Sequence, residues 1–307
     1  MKSKSLCLAG PTSSGKTALS LWLAKRLGLE IINADSLQIY EDLPLLTARP
    51  RPEETKEVSH HLFGFLKPEV PFSVGKWYET VASLFIQNKN LCQNALFVGG
   101  TGLYFKVLSE GLAKAPPVDQ AVRARLNDLY AQEGQEGLEA LWRREGLVDP
   151  CPLDPQRTKR ALEVYMTTGS PLSHWQAQEK SPPLLIKDAC VRIVLMPKKE
   201  ELIMRASKRL EEAFRQSIPE MKALAERYQN LEEYPLMQAL GVKELRAYCQ
   251  GSLSFDGALA QAQIKTRQYI KRQMTWFRHQ MSEAVIIDTL DRGAQQKILE
   301  EILLKNF

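Results

Sequence analysis

A chain of 307 residues with 44% hydrophobic and 25% charged side chains has the composition of a folded globular protein, long enough for one large domain with an insertion; low-complexity and fibrous classes are excluded. The 41 Lys and Arg against 36 Asp and Glu leave a net charge of +5, which permits an anionic partner without demanding one. No apolar run approaches the ~18 residues of a membrane span, and five scattered cysteines with no CxxC pair exclude an obvious zinc site and suit free thiols in the cytoplasm.

In chain order, the opening "MKSKSLCLAG" runs straight into a glycine loop, leaving no room for a cleavable signal, so a cytoplasmic location is expected. Residues 5–9 read as a short buried strand, and an amphipathic helix follows from Lys16 to Leu27. Between them "GPTSSGKT", residues 10–17, fits the G-x-x-x-x-G-K-[ST] phosphate loop in its required strand-to-helix setting. Gly10 and Gly15 let the backbone curl so that several N–H groups point at one anion, aided by the positive end of the helix; Lys16 adds a point charge and Thr17 a hydroxyl for Mg²⁺. A di- or triphosphate ligand is implied, and ATP is not specified.

"EIINADS" reads as a second strand with a polar tip at 33–36, which places Asp35 across the sheet edge from the phosphates. Asp35 can hold a metal or take a proton from an acceptor; capping a helix that starts near Ser36 is the structural alternative. The third strand, "NALFVGG", ends in Gly99, Gly100, Thr101 and Gly102, where a nucleotide hydrolase or kinase carries a magnesium-binding acid. Glycines there are expected to let the backbone approach a ligand, with the Thr101 hydroxyl free to donate to an oxygen. A reaction in which diphosphate departs needs only stabilisation of its growing charge, and suits such a turn better than phosphoryl transfer.

Strands alternating with helices predict a parallel α/β sheet of P-loop NTPase type. Between the proline pairs 116–117 and 182–183 the chain is helical and charged, and the strand pattern resumes only at 190–196. An all-helical domain, 116–183, is therefore expected inside an α/β core formed by 1–115 and 184–307. Helices are expected at 198–216, 219–229, 235–249 and 256–282, then a strand at "AVIID" and a closing helix. The helix segment "KTRQYIKRQMTWFRHQ", 265–280, holds five Lys or Arg and no acid: Arg267, Lys271 and Arg278 share a face with Thr275, while Tyr269, Gln273 and Trp276 follow a neighbouring stripe. Cations interleaved with aromatics suit single-stranded RNA, the alternative being a solvated face over a core containing Trp276 and Phe277. Arg157 to Arg160 and Arg123 with Arg125 form further basic clusters.

Together, "GPTSSGKT", "NADSLQIY", "TARP", "HHL", "FVGGTGLY", "DPQRTKRALEVYMTTGSPLS", "LGVKE" and "TRQYIKRQMTWFR" resemble the tRNA dimethylallyltransferases, in family order over nearly the whole chain. The resemblance implies transfer of a dimethylallyl group from dimethylallyl diphosphate, with Mg²⁺, to N6 of the adenine just 3′ of the anticodon; a P-loop small-molecule kinase using ATP is the alternative. It implies that Gly10, Pro11, Thr12, Ser13, Ser14, Gly15, Lys16 and Thr17 bind the diphosphate, with Arg209 and Arg205 as further contacts. Asp35 would take the amine proton, Thr101 would hydrogen-bond the departing bridging oxygen, Lys16 would assist, and Thr17 would hold the metal. Asp35, Ser36, Leu37 and Gln38 would surround a flipped-out adenine, and Thr101 would also contact the tRNA. Contacts to the tRNA anticodon stem-loop would come from Arg123; Gln156, Arg157, Thr158, Lys159 and Arg160; Gln238, Ala239, Leu240, Gly241, Val242 and Lys243; and Lys271, Arg272, Gln273, Met274, Thr275, Trp276, Phe277 and Arg278. A monomer is expected. The chain departs from the family at Val242, where a tyrosine is usual, and at Ala213 and Ser217-Ile218, where a methionine and a Gly-Leu pair are usual.

Overall fold

A computed structural model describes residues 5–114, 116–148, 150–152, 154–178, 180–186 and 190–306. The chain divides into two compact units: 1–109 with 184–307, and 110–183.

In the first unit the elements run β1 (Ser5–Ala9), α1 (Lys16–Leu27), β2 (Glu30–Asn33), α2 (Pro44–Thr47), α3 (Pro52–Glu57), β3 (His60–His61), α4 (Val74–Gln87), α5 (Lys89–Gln93), β4 (Ala95–Gly99) and α6 (Gly102–Glu110). All the strands in the sheet are parallel, in the order β3-β2-β4-β1 followed by two strands from the later part of the chain. Leu6, Leu8, Ile31, Ile32, Leu96 and Phe97 are entirely buried, the continuous apolar pattern of strands covered on both faces. Because the strands are parallel, the loops after β1, β2 and β4 all leave the same edge. The phosphate loop, Asp35 and the glycine turn are thereby neighbours.

The second unit holds α7 (Gln120–Arg144), α8 (Pro155–Thr168) and α9 (Leu172–Ala177). Helix α7 is interrupted at Gly134, whose φ of 64° and ψ of −151° are not helical. Leu126, Leu138, Leu141, Trp142 and Leu162 form a core of its own. Asp154 caps α8 by accepting from the Arg157 N–H at 3.0 Å, and Pro155 occupies the first helical turn, where its missing donor costs nothing.

The chain then returns to the sheet with β5 (Cys190–Leu195), α10 (Lys199–Arg227), α11 (Val242–Cys249), α12 (Phe255–Gln280), β6 (Val285–Ile287) and α13 (Arg292–Asn306). Strand β5 pairs with β1, and β6 with β5. Three details differ from what the sequence predicts. Helices expected at 198–216 and 219–229 are one helix, α10, running through Pro219. Burial of Phe214, Ser217, Met221 and Leu224 along one side outweighs the ~3 kcal/mol that an interior proline costs. The helix expected at 235–249 instead splits into a 3-10 turn, Pro235–Gln238, and α11, because Gly241 adopts a left-handed φ of 83° before Val242. Strand β3 leaves no trace in the sequence pattern, since two histidines are too short to show periodicity. Among the described residues no helix is long and apolar enough to cross a membrane.

Candidate functional site

The phosphate loop closes the C-terminal end of β1. Gly15 ends it in a left-handed conformation, φ 93°, and α1 begins at Lys16 with its N–H groups facing the loop. Lys16 Nζ donates to Gly10 O and Pro11 O, both at 2.8 Å, which leaves one of its three protons for a ligand. Burial pushes the Lys16 ammonium down to about 8; the negative charge of Asp35 works against that shift and Arg209 adds to it. The Ser13 and Ser14 hydroxyls are buried and have no partner within the protein. Buried hydroxyls without partners are costly unless something else accepts their protons, as an anion in the loop would.

Asp35 is placed by Asn33, a buried side chain at the end of β2. Its amide oxygen accepts from the Asp35 N–H at 2.8 Å, and its amide nitrogen donates to Asp35 O and Leu62 O, both at 2.9 Å. Trp77 Nε1 donates to Asn33 O at 2.9 Å and stacks on Tyr104 at 4.3 Å, which stiffens the strand tip. Asp35 Oδ1 accepts from the Leu37 N–H at 3.0 Å in a local turn; no helix begins at Ser36, so the helix-cap reading of Asp35 does not hold.

The glycine turn does not do what the sequence suggests. A Cβ on Gly99 would lie 2.0 Å from Ala34 O, one on Gly100 2.3 Å from Gln273 Nε2 and 3.2 Å from Asp35 Oδ2, and one on Gly102 2.2 Å from the Trp276 ring. The missing side chains make room for β2 and for helix α12, so the close approach is to the protein itself. The Thr101 hydroxyl is likewise not free: it accepts from the Ser36 N–H at 2.9 Å and donates to Ser36 Oγ at 3.2 Å. Burial of Tyr269, on α12, raises its phenol far above the usual range.

These pieces border a cleft of about 390 Å³, the size of a small-ligand site. Thr12, Ser13, Ser14, Gly15, Lys16 and Thr17 form one wall with Arg205 and Arg209, and Asp35, Leu37 and Gln38 another. Gly10 and Pro11, at the start of the loop, are buried, and neither they nor Thr101 line the cleft. Arg209 Nη2 donates to Thr12 Oγ1 at 3.1 Å. Gln38 Nε2 donates to Ala48 O at 2.8 Å, pinning the end of α2. Leu46, Thr47, Ala48, Glu54, Leu210, Thr266 and Tyr269 also line the cleft, although sequence reasoning assigns none of them to the site. The "TARP" stretch is the available signal for Thr47 and Ala48; for Tyr269 it is a position one turn from Gln273 on the same stripe. His60 and His61 serve β3: His60 Nδ1 pairs with Val58 O at 2.7 Å and His61 Nε2 with Glu30 at 2.8 Å.

The residues expected to contact RNA separate by burial. On α12, Lys271, Arg272, Thr275 and Arg278 are exposed, together with Arg267 and His279, and Trp276 is half-buried. Gln273, Met274 and Phe277 face inward, Phe277 with no exposed surface, so an RNA contact from these three is ruled out by packing. Gln238 and Lys243 are exposed, Leu240 and the largely buried Ala239 line the cleft, and Gly241 and Val242 are buried away from it. Val242 fills the core beside Phe214 and Leu245 rather than offering a contact. Ala213 and Ser217 are likewise buried in α10.

In the second unit Gln156 and Arg157 are exposed, and Lys159 lies 5.0 Å over the Tyr130 ring while donating to Asn127 Oδ1 at 3.0 Å. Arg123 and Arg160 both pair with the mostly buried Glu163, at 2.9 and 3.5 Å. Thr158 is fully buried and donates to Pro152 O at 2.8 Å, so it supports the start of α8 instead of reaching outward.

A family profile described as IPP transferase matches residues 38–280, and one described as isopentenyl transferase matches 4–62. The tRNA dimethylallyltransferase of Chelativorans sp. (strain BNC1) is 45% identical over 282 residues, covering 89% of this chain and 94% of that protein. That of Maricaulis maris is 41% identical and covers 97% of each. The crystal structure of the full-length tRNA isopentenylpyrophosphate transferase from Bacillus halodurans superposes with a TM-score of 0.69 at 27% identity, over 99% of this chain and 97% of that one.

Proposed function

The chain belongs to the IPP transferase family of tRNA dimethylallyltransferases, and from that premise we propose that it transfers a dimethylallyl group from dimethylallyl diphosphate to N6 of the adenine immediately 3′ of the anticodon, releasing diphosphate. The observation that carries this reading is the edge of the sheet itself. A phosphate cradle and Asp35 face one cleft, and the turn after β4, where an ATP-consuming enzyme keeps its acid, is filled by groups of α12.

In this mechanism N6 attacks the allylic carbon, the N–C bond forms as the C–O bond breaks, and the electron pair leaves with the diphosphate. The N6 proton passes to the Asp35 carboxylate. Lys16, Arg209 and the loop N–H groups take up the negative charge that grows on the departing oxygens, in a site prepared before the reaction begins. The Thr101 hydroxyl turns from Ser36 Oγ towards the bridging oxygen. The unpaired Ser13 and Ser14 hydroxyls and the Thr17 hydroxyl on the cleft wall fit a Mg²⁺-bound diphosphate. Thr17 would hold the ion at the cleft wall, where it would supply charge neutralisation for the diphosphate. Among the described residues no cluster of three or more His, Cys, Asp or Glu could serve as a separate metal site.

The RNA side of the reading rests on exposed and half-buried groups. Arg267, Lys271, Arg272 and Arg278 neutralise phosphates, Trp276 offers an edge for stacking, and Arg157 and Lys159 of the helical unit reach the anticodon stem. The target adenine leaves its stack to meet the cleft. Five free cysteines suit a cytoplasmic enzyme.

The test mixes the protein with Mg²⁺, dimethylallyl diphosphate and an anticodon stem-loop and reads the mass of the adenosine. A dimethylallyl adduct on the base 3′ of the anticodon is expected. An unmodified RNA recovered intact would refute the assignment.

A further inference from the structure

Resting on that reading, we propose that Gln273 is a positioning residue for the transfer: its side-chain amide sets the spacing between the phosphate loop and the Gly100–Thr101 turn. The amide nitrogen donates to Gly100 O at 2.9 Å and the amide oxygen accepts from the Thr12 N–H at 3.0 Å. The side chain is 5% exposed, so neither bond is shared with water. One residue therefore joins two loops that lie 261 and 173 residues away from it in the chain.

The chemistry of the link is restrictive. It needs one donor and one acceptor on a single neutral group; a carboxylate at this position would turn an oxygen against Gly100 O, and a cation would have nothing to offer Thr12. Gly100 is a glycine because a Cβ there would displace the amide. On one side the link bears on Thr12, whose hydroxyl accepts from Arg209. On the other it bears on Thr101, the residue after Gly100, whose hydroxyl accepts from the Ser36 N–H at 2.9 Å. The same helix exposes Lys271, Thr275 and Arg278 on its opposite face. A single rigid element thus carries RNA-facing cations outward and holds both halves of the reacting site inward.

The test compares wild type with Q273L and Q273E in four measurements: thermal unfolding, stem-loop Kd, Kd for inorganic diphosphate with Mg²⁺, and kcat with KM for dimethylallyl diphosphate. Q273L is expected to stay folded and to bind the stem-loop within about twofold of wild type, because the cationic face is untouched. Its kcat is expected to fall by about 10²-fold, the scale of an ångström-level misplacement. Its affinity for inorganic diphosphate is expected to fall by about tenfold, since the loop N–H and the turn carbonyl lose their partner. A kcat within about threefold of wild type, or a loss of stem-loop affinity in step with kcat, would overturn the proposal. Should Q273L not fold, the isosteric Q273E decides: the same loss supports the role, and wild-type turnover overturns it. Should the wild type itself make no prenylated base, the parent reading fails on its own, and a Q273L or Q273E that binds diphosphate as tightly as wild type still overturns the clamp.

Discussion

The ammonium of Lys16 gives the sharpest prediction. Buried under the loop, it holds its proton only up to about pH 8 in the ligand-free protein, against an ordinary value of 10.5. A bound diphosphate adds negative charge beside it and restores the protonated form. Affinity for dimethylallyl diphosphate must therefore fall as pH rises through 8, by about tenfold per unit once Lys16 is mostly neutral. Near pH 9.5 only ~3% of the free protein is charged at this residue, so the Kd should be ~30-fold weaker than the plateau value near pH 7. The substrate does not confuse the measurement, because phosphate groups complete their ionisation near ~6. Isothermal titration calorimetry in buffers of different ionisation enthalpy reads both the affinity and the accompanying proton uptake. Lys16 acts on folding stability with the opposite sign. A depressed lysine loses its proton in the folded state first, so its contribution to ligand-free stability increases from about 8 to about 10.5 while the unfolded chain still holds the proton. An affinity that stays level between about pH 8 and 9.5, or that declines identically in K16Q, would refute the reasoning.

Other expectations follow from the same site. D35N should lower kcat by about 10²–10⁴-fold, the usual worth of a general base, with stem-loop Kd nearly unchanged; a comparable loss of RNA affinity would move Asp35 out of the proton-transfer role. Neutralising Lys271 and Arg278 together should weaken stem-loop binding and reduce the salt slope of log K by about one unit for each phosphate left without its cation, measured by fluorescence anisotropy across a salt series. F277A should destabilise the protein by about 3–5 kcal/mol in chemical denaturation, since the ring is wholly buried against Phe105 and leaves a cavity; R267A, on the solvent face of the same helix, should cost almost nothing.

The phosphate loop is legible in the sequence because eight contiguous residues carry its whole geometry, and Asp35 because a lone acid follows an apolar strand. The parallel sheet follows from apolar runs alternating with helices. What escapes is set by packing across the chain. Nothing local in Gly100 reveals that its neighbour is an amide 173 residues later, so a glycine that accommodates Gln273 reads like one that accommodates a ligand. Burial sorts α12 and the 238–243 segment in the same way: Phe277 and Val242 look like candidate contacts in a motif and prove to be core. Pro219 misleads because helix α10 is held by its packing and tolerates one missing bond. Gly241 reads as a family marker, and its left-handed backbone, which splits the expected helix, emerges only with the fold.

Helix α12 presents two registers that can be altered independently. Inward, Gln273 is bonded to the phosphate loop and to the Gly100 turn, whereas Arg267, Lys271, Thr275 and Arg278 are exposed to solvent. An engineer seeking a catalyst for a foreign hairpin would therefore recode those outer four residues and leave the inner stripe alone, changing which nucleic acid docks while keeping the machinery that modifies it.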